Sequence, residues 1–546
     1  MRKFLLVLSV LLFAGSLFAT DYYVAKTGNN SWDGLAPAWV SGTNGPWLTI
    51  AKATTVMVAG DICYVCTGTY AERIMLTTGN SGTDANRITY KNYPGESPVL
   101  DGTSFGYGSA FWSGMYASPS GVVHYITIDG FEIKNYPEMG IAFDRNQATQ
   151  TGSVGSHGIT IKNCISHDNG QGVLGAGCGI YLEGGDVGVG GEGYGHLITL
   201  NECYGNTQHG IKFTGDTFGT INRQQIRNSE ISWNICHDQP NGESNGQGIH
   251  ASTGAHDNLI AHNTCYSNGS AGISTDEAWN NIIEYNTSYS NGVTYAPDGS
   301  GIVLWNSSNT IIRYNFLYNN ASSGIGISGA LGGSPTKSFI HYNIVLHNNT
   351  SLGASYGGIV LNNSLAHDVY NNLLYNNHMQ GIYVQLTANQ NIKNNIIYSV
   401  GAGRAGDYLI RSAVTAGWTA NKIDYNCYYT TDLTNPWYWG ANRATFALWK
   451  SNSGMDTNGI NVDPVLVNPG GTTSADYKIQ TTSPCKDVGV NVSLAQDYFG
   501  GAVPYNTTPD IGAHEYTANG PTEHLFRLAP GTVVCIGAGT IVRIKN

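Results

Sequence analysis

Lys212 and His250 each lie two residues after the glycine of a recurring Gly-Ile pair, and Asp144, Glu183 and Asp276 each lie four residues after one. If each post-glycine stretch is a strand whose Ile points inward, these positions project from one outer face in two parallel columns. The first column reads Ala142, Tyr181, Lys212, His250, Ser274, Val303, and the second Asp144, Glu183, Thr214, Ser252, Asp276, Trp305. Such a set suits acid–base work on a sugar chain. Eliminative cleavage of a uronic-acid polymer removes the C5 proton alpha to a carboxylate and expels the C4 oxygen. Lys212 can be that base if its pKa falls from about 10.4 toward neutrality, a fall that a bare Glu183 one turn away would oppose. The other reading of the same pair is an ordinary cross-turn salt bridge. His250 is a candidate proton donor, or a surface histidine hydrogen-bonded along the ladder. Asp144 and Glu183, on adjacent turns, also suit the roughly 5.5 Å spacing of a retaining glycosidase, whereas Glu183 and Asp276 are three turns apart and too distant. Tyr181 and Trp305 are candidate sugar-stacking platforms.

The elements that must position these residues follow from two repeated marks. One is Gly-Ile, as at Gly179-Ile180, Gly210-Ile211, Gly248-Ile249, Gly272-Ile273, Gly301-Ile302, Gly324-Ile325, Gly358-Ile359 and Gly381-Ile382. The other is an aliphatic residue three before an Asn, as at Ile231/Asn234, Ile260/Asn263, Ile283/Asn286, Ile312/Asn315, Ile340/Asn343 and Ile392/Asn395. Successive marks give turns of 23 or 29 residues in the regular part, the period of a solenoid. Alternation such as Ile302-Val303-Leu304-Trp305 is strand chemistry. Gly and Asn between strands suit corners with left-handed or cramped backbone, and Asn stacked on Asn can satisfy corner amides. The expected fold is all-β, a right-handed parallel β-helix with rungs from about residue 85 to 430. Gly140 to Gly179 spans 39 residues, Gly179 to Gly210 spans 31 and Gly210 to Gly248 spans 38. This extra length predicts loops walling one face, and they carry Asp168, Asp186, Glu192, Asp216, Asp238 and Glu243.

Residues 1–19 read as a secretory leader: Met1-Arg2-Lys3, a short apolar stretch, then small residues to Ala19. Residues 20–84 read as an N-terminal segment with a helical cap over Thr49–Val58, 431–520 as a closing module, and 521–546 as a strand-like tail. A net charge of −11 without basic clusters argues against nucleic acid and anionic membranes as partners. Cys203, Cys236 and Cys265 occupy similar places in successive turns. Parallel Cβ vectors are poor disulfide geometry, so buried, reduced thiols are expected.

Tyr22-Tyr23-Val24, Thr27-Gly28-Asn29-Asn30, Pro46-Trp47 and Gly68-Thr69-Tyr70 resemble the start of secreted bacterial right-handed β-helix proteins of the pectate-lyase-like kind. Ser483-Pro484-Cys485-Lys486-Asp487-Val488-Gly489 and Pro509-Asp510-Ile511-Gly512-Ala513-His514-Glu515-Tyr516 resemble the choice-of-anchor Q module found at their C-termini. That group holds polysaccharide lyases, glycoside hydrolases and proteins of no known reaction. Its lyases with a Lys base and an Asp-rich calcium site are similar in residue type to this chain, and the resemblance implies calcium with Asp144, Glu183 and Asp216 as candidate ligands. Calcium would mask their charge and acidify the C5 proton. The expectation is a secreted polysaccharide-degrading enzyme acting as a monomer, a lyase ahead of a glycoside hydrolase, with a non-catalytic glycan-binding or adhesive protein as the third reading.

Overall fold

Ile180, Ile211, Ile249, Ile273 and Ile302 are all fully buried, which fixes the alternation of every strand they begin. The computed structural model of the chain describes residues 19–114, 121–144, 153–171, 177–218, 221–240, 245–329, 337–353, 355–363, 365–400 and 406–517, without the side chains of 216–218, 221–224 and 363. The expected leader (apart from Ala19), the C-terminal tail and Glu243 lie outside the described residues. The chain forms two compact units, residues 1–240 with 251–258, and residues 241–250 with 259–546.

Within each unit, every turn contributes one strand to each of three parallel sheets, the architecture of a parallel β-helix. In the first unit, the first sheet runs from Asp21–Val24 through Ile62–Val65 and onward to Glu230–Ser232. The second sheet holds Ile74–Met75, Phe111–Ser113, Ile141–Phe143, Ile180–Glu183 and Ile211–Thr214. The third runs from Gly68–Tyr70 to Ile235–His237. The second unit repeats the plan: Ile273 pairs with Ile302, Ile283 with Ile312 and Ser288 with Leu317. Parallel pairing thus begins at Asp21, inside the N-terminal entry and cap segment, ahead of residue 85. The helix expected over Thr49–Val58 spans Ile50–Ala53, where Glu72 accepts the Ile50 and Ala51 amides and the β-branched run Thr54-Thr55-Val56 follows.

The corners differ from the expectation in an instructive way. The Gly of Gly-Ile is there for close approach, since a Cβ on Gly301 would sit 2.8 Å from the Gly324 carbonyl oxygen and 2.9 Å from Asn320 Nδ2. The left-handed backbone falls on the residue before each ladder Asn, as at Tyr285 (φ 55°), Tyr314 (φ 58°) and Tyr342 (φ 52°). The Asn ladder itself is continuous in the second unit from Asn263 through Asn286, Asn315, Asn343, Asn372 and Asn395 to Asn426, each amide donating to the next at 2.9–3.1 Å. A second ladder runs from Asn268 to Asn377. Asn426 ends the first on Asp456, a fully buried carboxylate that also accepts from Tyr428 and Trp449, and burial pushes its pKa up to about 6.

Trp449, on the helix Phe446–Ser453, packs with Trp439 beside the Tyr428–Trp437–Phe446 aromatic cluster. Residues 464–516 lie along the outer face of the third sheet, where Ile344, Leu346, Leu373, Tyr375 and Ile396 meet Leu466, Tyr477, Ile479 and Ile511. Asp510 and Glu515 hold this segment together through backbone amides, Asp510 accepting from Asp487 N and Tyr516 N and Glu515 from Tyr505 N and Asp510 N. Cys203 and Cys236 stand in register, buried and unbridged, and Cys265 is likewise buried and free.

Candidate functional site

The outer face of the second sheet in the first unit carries most of the residues singled out for chemistry. Its register sets Met75 beside Trp112, Trp112 beside Ala142, Ala142 beside Tyr181 and Tyr181 beside Lys212, with steps of about 4.8 Å. The intervening side chains Phe111, Ile141, Phe143, Leu182 and Phe213 are buried, so strand alternation drives this column outward. Glu183 is in register with Thr214, and Asp144 occupies the next position along from the Phe143–Leu182 pair. Asp144 and Glu183 are only 6% and 9% exposed.

Lys212 is half-buried and makes no hydrogen bond or ion pair among the described residues. The cross-turn salt bridge to Glu183 does not form, because the register puts Lys212 against Tyr181 and Glu183 against Thr214. Burial pushes the nearby Cys178 thiol up to about 11, and the Lys212 charge pulls the other way. At the N-terminal end of the column opens a cleft of about 410 Å³ whose walls include Arg73, Tyr107, Trp112, Glu138, Ala142 and Asp144. Of these, the sequence reading had Ala142 and Asp144. Arg73, Tyr107, Trp112 and Glu138 precede Gly140, where no Gly-Ile mark makes the turn visible. The one signal was the alternation Phe111-Trp112-Ser113.

The long turns expected to form loops instead build a small sheet of their own. Ile221–Arg227 is its spine, pairing with Gly185–Asp186, Gly193–Tyr194, Asp216–Phe218 and Ala255–His256. Asp168 and Asp238 sit at left-handed corners after third-sheet strands, bonded to His167 and His237 at 2.8 and 2.7 Å. Asp186 is buried and accepts from the Gly188 amide.

The remaining residues belong to the second unit. His250 is buried and its Nδ1 shares a 2.6 Å hydrogen bond with Ser274 Oγ. Asp276 stands in register with Trp305 and accepts from Asn306 Nδ2 at 3.3 Å; both are half-buried. For calcium, Asp144 and Glu183 are placed as described, and the side chain of Asp216 lies outside the described residues. Among the described residues no group of three His, Cys, Asp or Glu could hold a metal. No described helix is long and apolar enough to cross a membrane.

The family described as the right-handed β-helix region matches residues 152–336 and 298–447, more than half of the sequence. The chain belongs to the right-handed β-helix family. No curated protein matches it. Among solved structures this β-helix is similar to a GH136 lacto-N-biosidase from Eubacterium ramulus, at 15% identity over 76% of this chain and 68% of that one, with a TM-score of 0.51. It is also similar to XylC in complex with xylose (14% identity, 91% and 98% covered, TM-score 0.49) and to pectate lyase Pel9A (14%, 92% and 98%, TM-score 0.39). The likeness to the GH136 enzyme is one of fold alone.

Proposed function

We propose that this protein is an extracellular enzyme that cleaves a uronate-containing polysaccharide by β-elimination on the outer face of the second sheet of its first unit, with Lys212 as the base. The observation that carries the reading is the Lys212 amine. It is half-buried, has no ion-pair partner among the described residues, and stands in one column with an open cleft. In the reaction, neutral Lys212 takes the C5 proton, the C–H electron pair forms the C4–C5 double bond, and the C4–O bond breaks. The departing O4 takes its proton from Tyr181, the neighbour of Lys212 in register. No step runs through calcium. The leader-like residues 1–19 support export.

A second reading has its own observation. Asp144 and Glu183 are one strand spacing apart along the outer column, within the separation that retaining glycosidases use.

Ultraviolet absorbance of the unsaturated uronate distinguishes them across a panel of uronate and neutral polymers, with and without chelator. New absorbance that is lost in Lys212→Ala is the expected result. Reducing ends without absorbance, abolished by Glu183→Gln, would replace elimination by hydrolysis. Binding without any product would reduce the protein to a glycan-binding one. Loss of activity in chelator would add a calcium requirement.

A further inference from the structure

We propose that the Arg73 cleft is a distal subsite for one carboxylate-bearing sugar ring, placed away from Lys212 along the same column; the inference rests on the polysaccharide reading above. Trp112, at the cleft, is separated from Lys212 by the Ala142 and Tyr181 turns, three strand spacings or about 14 Å. A ring held there is several sugars from the bond being cleaved, so the site sets where along a chain the enzyme cuts.

Three observations define what the cleft takes. First, Arg73 has a guanidinium and no ion pair among the described residues, and its Nε is buried without an acceptor. The planar fork of a guanidinium matches a carboxylate edge. Second, the guanidinium is surrounded by rings, at 4.1 Å from Tyr107, 5.5 Å from Trp112 and 6.0 Å from Phe105. Tyr107 is 65% exposed, so its ring offers a stacking face to a guest sugar. The indole Nε1 of Trp112 is also buried without an acceptor, a second donor for a guest oxygen. Third, Gly108, at φ 92°, leaves room for the guanidinium, because a Cβ there would run into it.

The opposite wall narrows the ligand further. Asp144 and Glu138 line the same cleft, so a densely sulfated or phosphorylated chain would meet two carboxylates. A uronic acid offers one carboxylate to Arg73 and hydroxyl donors to the acids. Its mixed chemistry fits the mixed wall.

The test is calorimetric titration of galacturonate, mannuronate and glucuronate oligosaccharides, each against its methyl ester, into full-length protein carrying Lys212→Ala so that no turnover intervenes. At least one acidic oligosaccharide should bind at least about 10-fold more tightly than its ester. Arg73→Gln should remove that difference, and Gly108→Ala should do the same with the arginine still present. Unchanged melting temperatures separate this from misfolding, and Arg73→Lys, which keeps the charge, should retain part of the preference. Acid and ester binding equally, no binding by any acid, or a preference that survives Arg73→Gln would each overturn the subsite. The two proposals fail separately. Arg73-dependent binding without elimination in the unsubstituted protein keeps the subsite and removes the lyase. Elimination with Arg73-independent binding does the reverse.

Discussion

The second sheet has the same inward face in both units and two different outward faces. Inside, Ile141, Ile180 and Ile211 in the first unit match Ile273, Ile302, Ile325, Ile359 and Ile382 in the second, all fully buried. Outside, the first unit presents Met75, Trp112, Ala142, Tyr181 and Lys212 along an open cleft. The second presents a buried His250 bonded to Ser274, then Val303, Gly326, Val360 and Tyr383, with Ser274, Val303, Val360 and Tyr383 also buried. Arg411, on this column, is stacked 4.4 Å from Tyr383 and 5.2 Å from Tyr438. On this sheet the inward residues pack the core, so the outward ones are where turns of like backbone come to differ. The longer turns belong largely to the first unit, the one whose outer face carries the Lys212 amine and the Arg73 cleft.

If that contrast is functional, the largest effect falls on Lys212. Lys212→Ala should lower elimination by about 10²- to 10⁴-fold, the usual worth of a positioned general base. Ser274→Ala, at the same offset in the second unit, should leave the rate within a factor of about two. Initial rates from absorbance on the polymer found active measure both. A Lys212→Ala enzyme that keeps its rate, or a Ser274→Ala enzyme that loses it, would break the comparison.

The Asn ladders sharpen it at the level of stability. Asn315 accepts from both Asn286 N and Asn286 Nδ2, and its own amide donates to Ile283 O, Arg313 O and Asn343 Oδ1. Asn201, in the first unit, accepts from Cys164 N, because the turn before it has no amide at that corner. Asn315→Ala therefore strands more buried donors than Asn201→Ala. The expected losses are about 2–4 kcal/mol and about 1–2 kcal/mol, read from urea unfolding midpoints at constant m. Equal losses would mean that a continuous ladder adds nothing beyond its separate bonds.

What was legible in the sequence divides along physical lines. Gly-Ile and the spaced Asn repeat because every turn imposes the same contact with the next, so one residue type is forced at each. Gly301 against Gly324 and Asn286 against Asn315 show why. The left-handed corner residue is not legible. His262, Tyr285, Tyr314 and Asn371 all adopt it, because the amide ladder beside it holds the backbone and leaves the side chain free to vary. Lys212 and Tyr181 were found because a fixed offset from a visible mark locates them. Arg73 and Trp112 were missed because their turns lack the mark. The small sheet around Ile221–Arg227 was missed because its partners come from separate long turns, and no local period joins them. The apolar outer face of the third sheet in the second unit becomes intelligible only with Leu466, Tyr477 and Ile511 packed on it.

The smallest effect compares two corners that are chemically alike. In the first unit His196 is buried and its Nδ1 accepts the Ile159 amide at 3.3 Å; in the second, His367 Nδ1 accepts the Ser338 amide at 3.0 Å. Each ring must stay neutral to accept. Burial lowers the pKa to about 3 at His196, helped by His157, His124 and Arg87, and to about 4 at His367, where the Asp368 charge works against burial. The ordinary histidine value lies near 6.5. Both corners therefore contribute stability that is whole above about pH 6.5 and drains as pH falls toward the folded pKa, because the unfolded chain takes up the proton first. By pH 5 the loss is about 2 kcal/mol at either corner. Below pH 4 they should part, His367 levelling off as it protonates in place while His196 goes on losing stability toward pH 3. Asn258 already fills the corresponding first-unit corner with an amide that accepts from Ser229 N, so His196→Asn and His367→Asn supply an acceptor that does not titrate. Hydrogen-exchange protection at the Ile159 and Ser338 amides reads each corner separately. Protection that becomes independent of pH in both variants, and parallel loss in the parent down to pH 4, is the expected outcome. Protection at Ile159 that is flat with pH in the parent would show that His196 is not the group that couples this corner to acid.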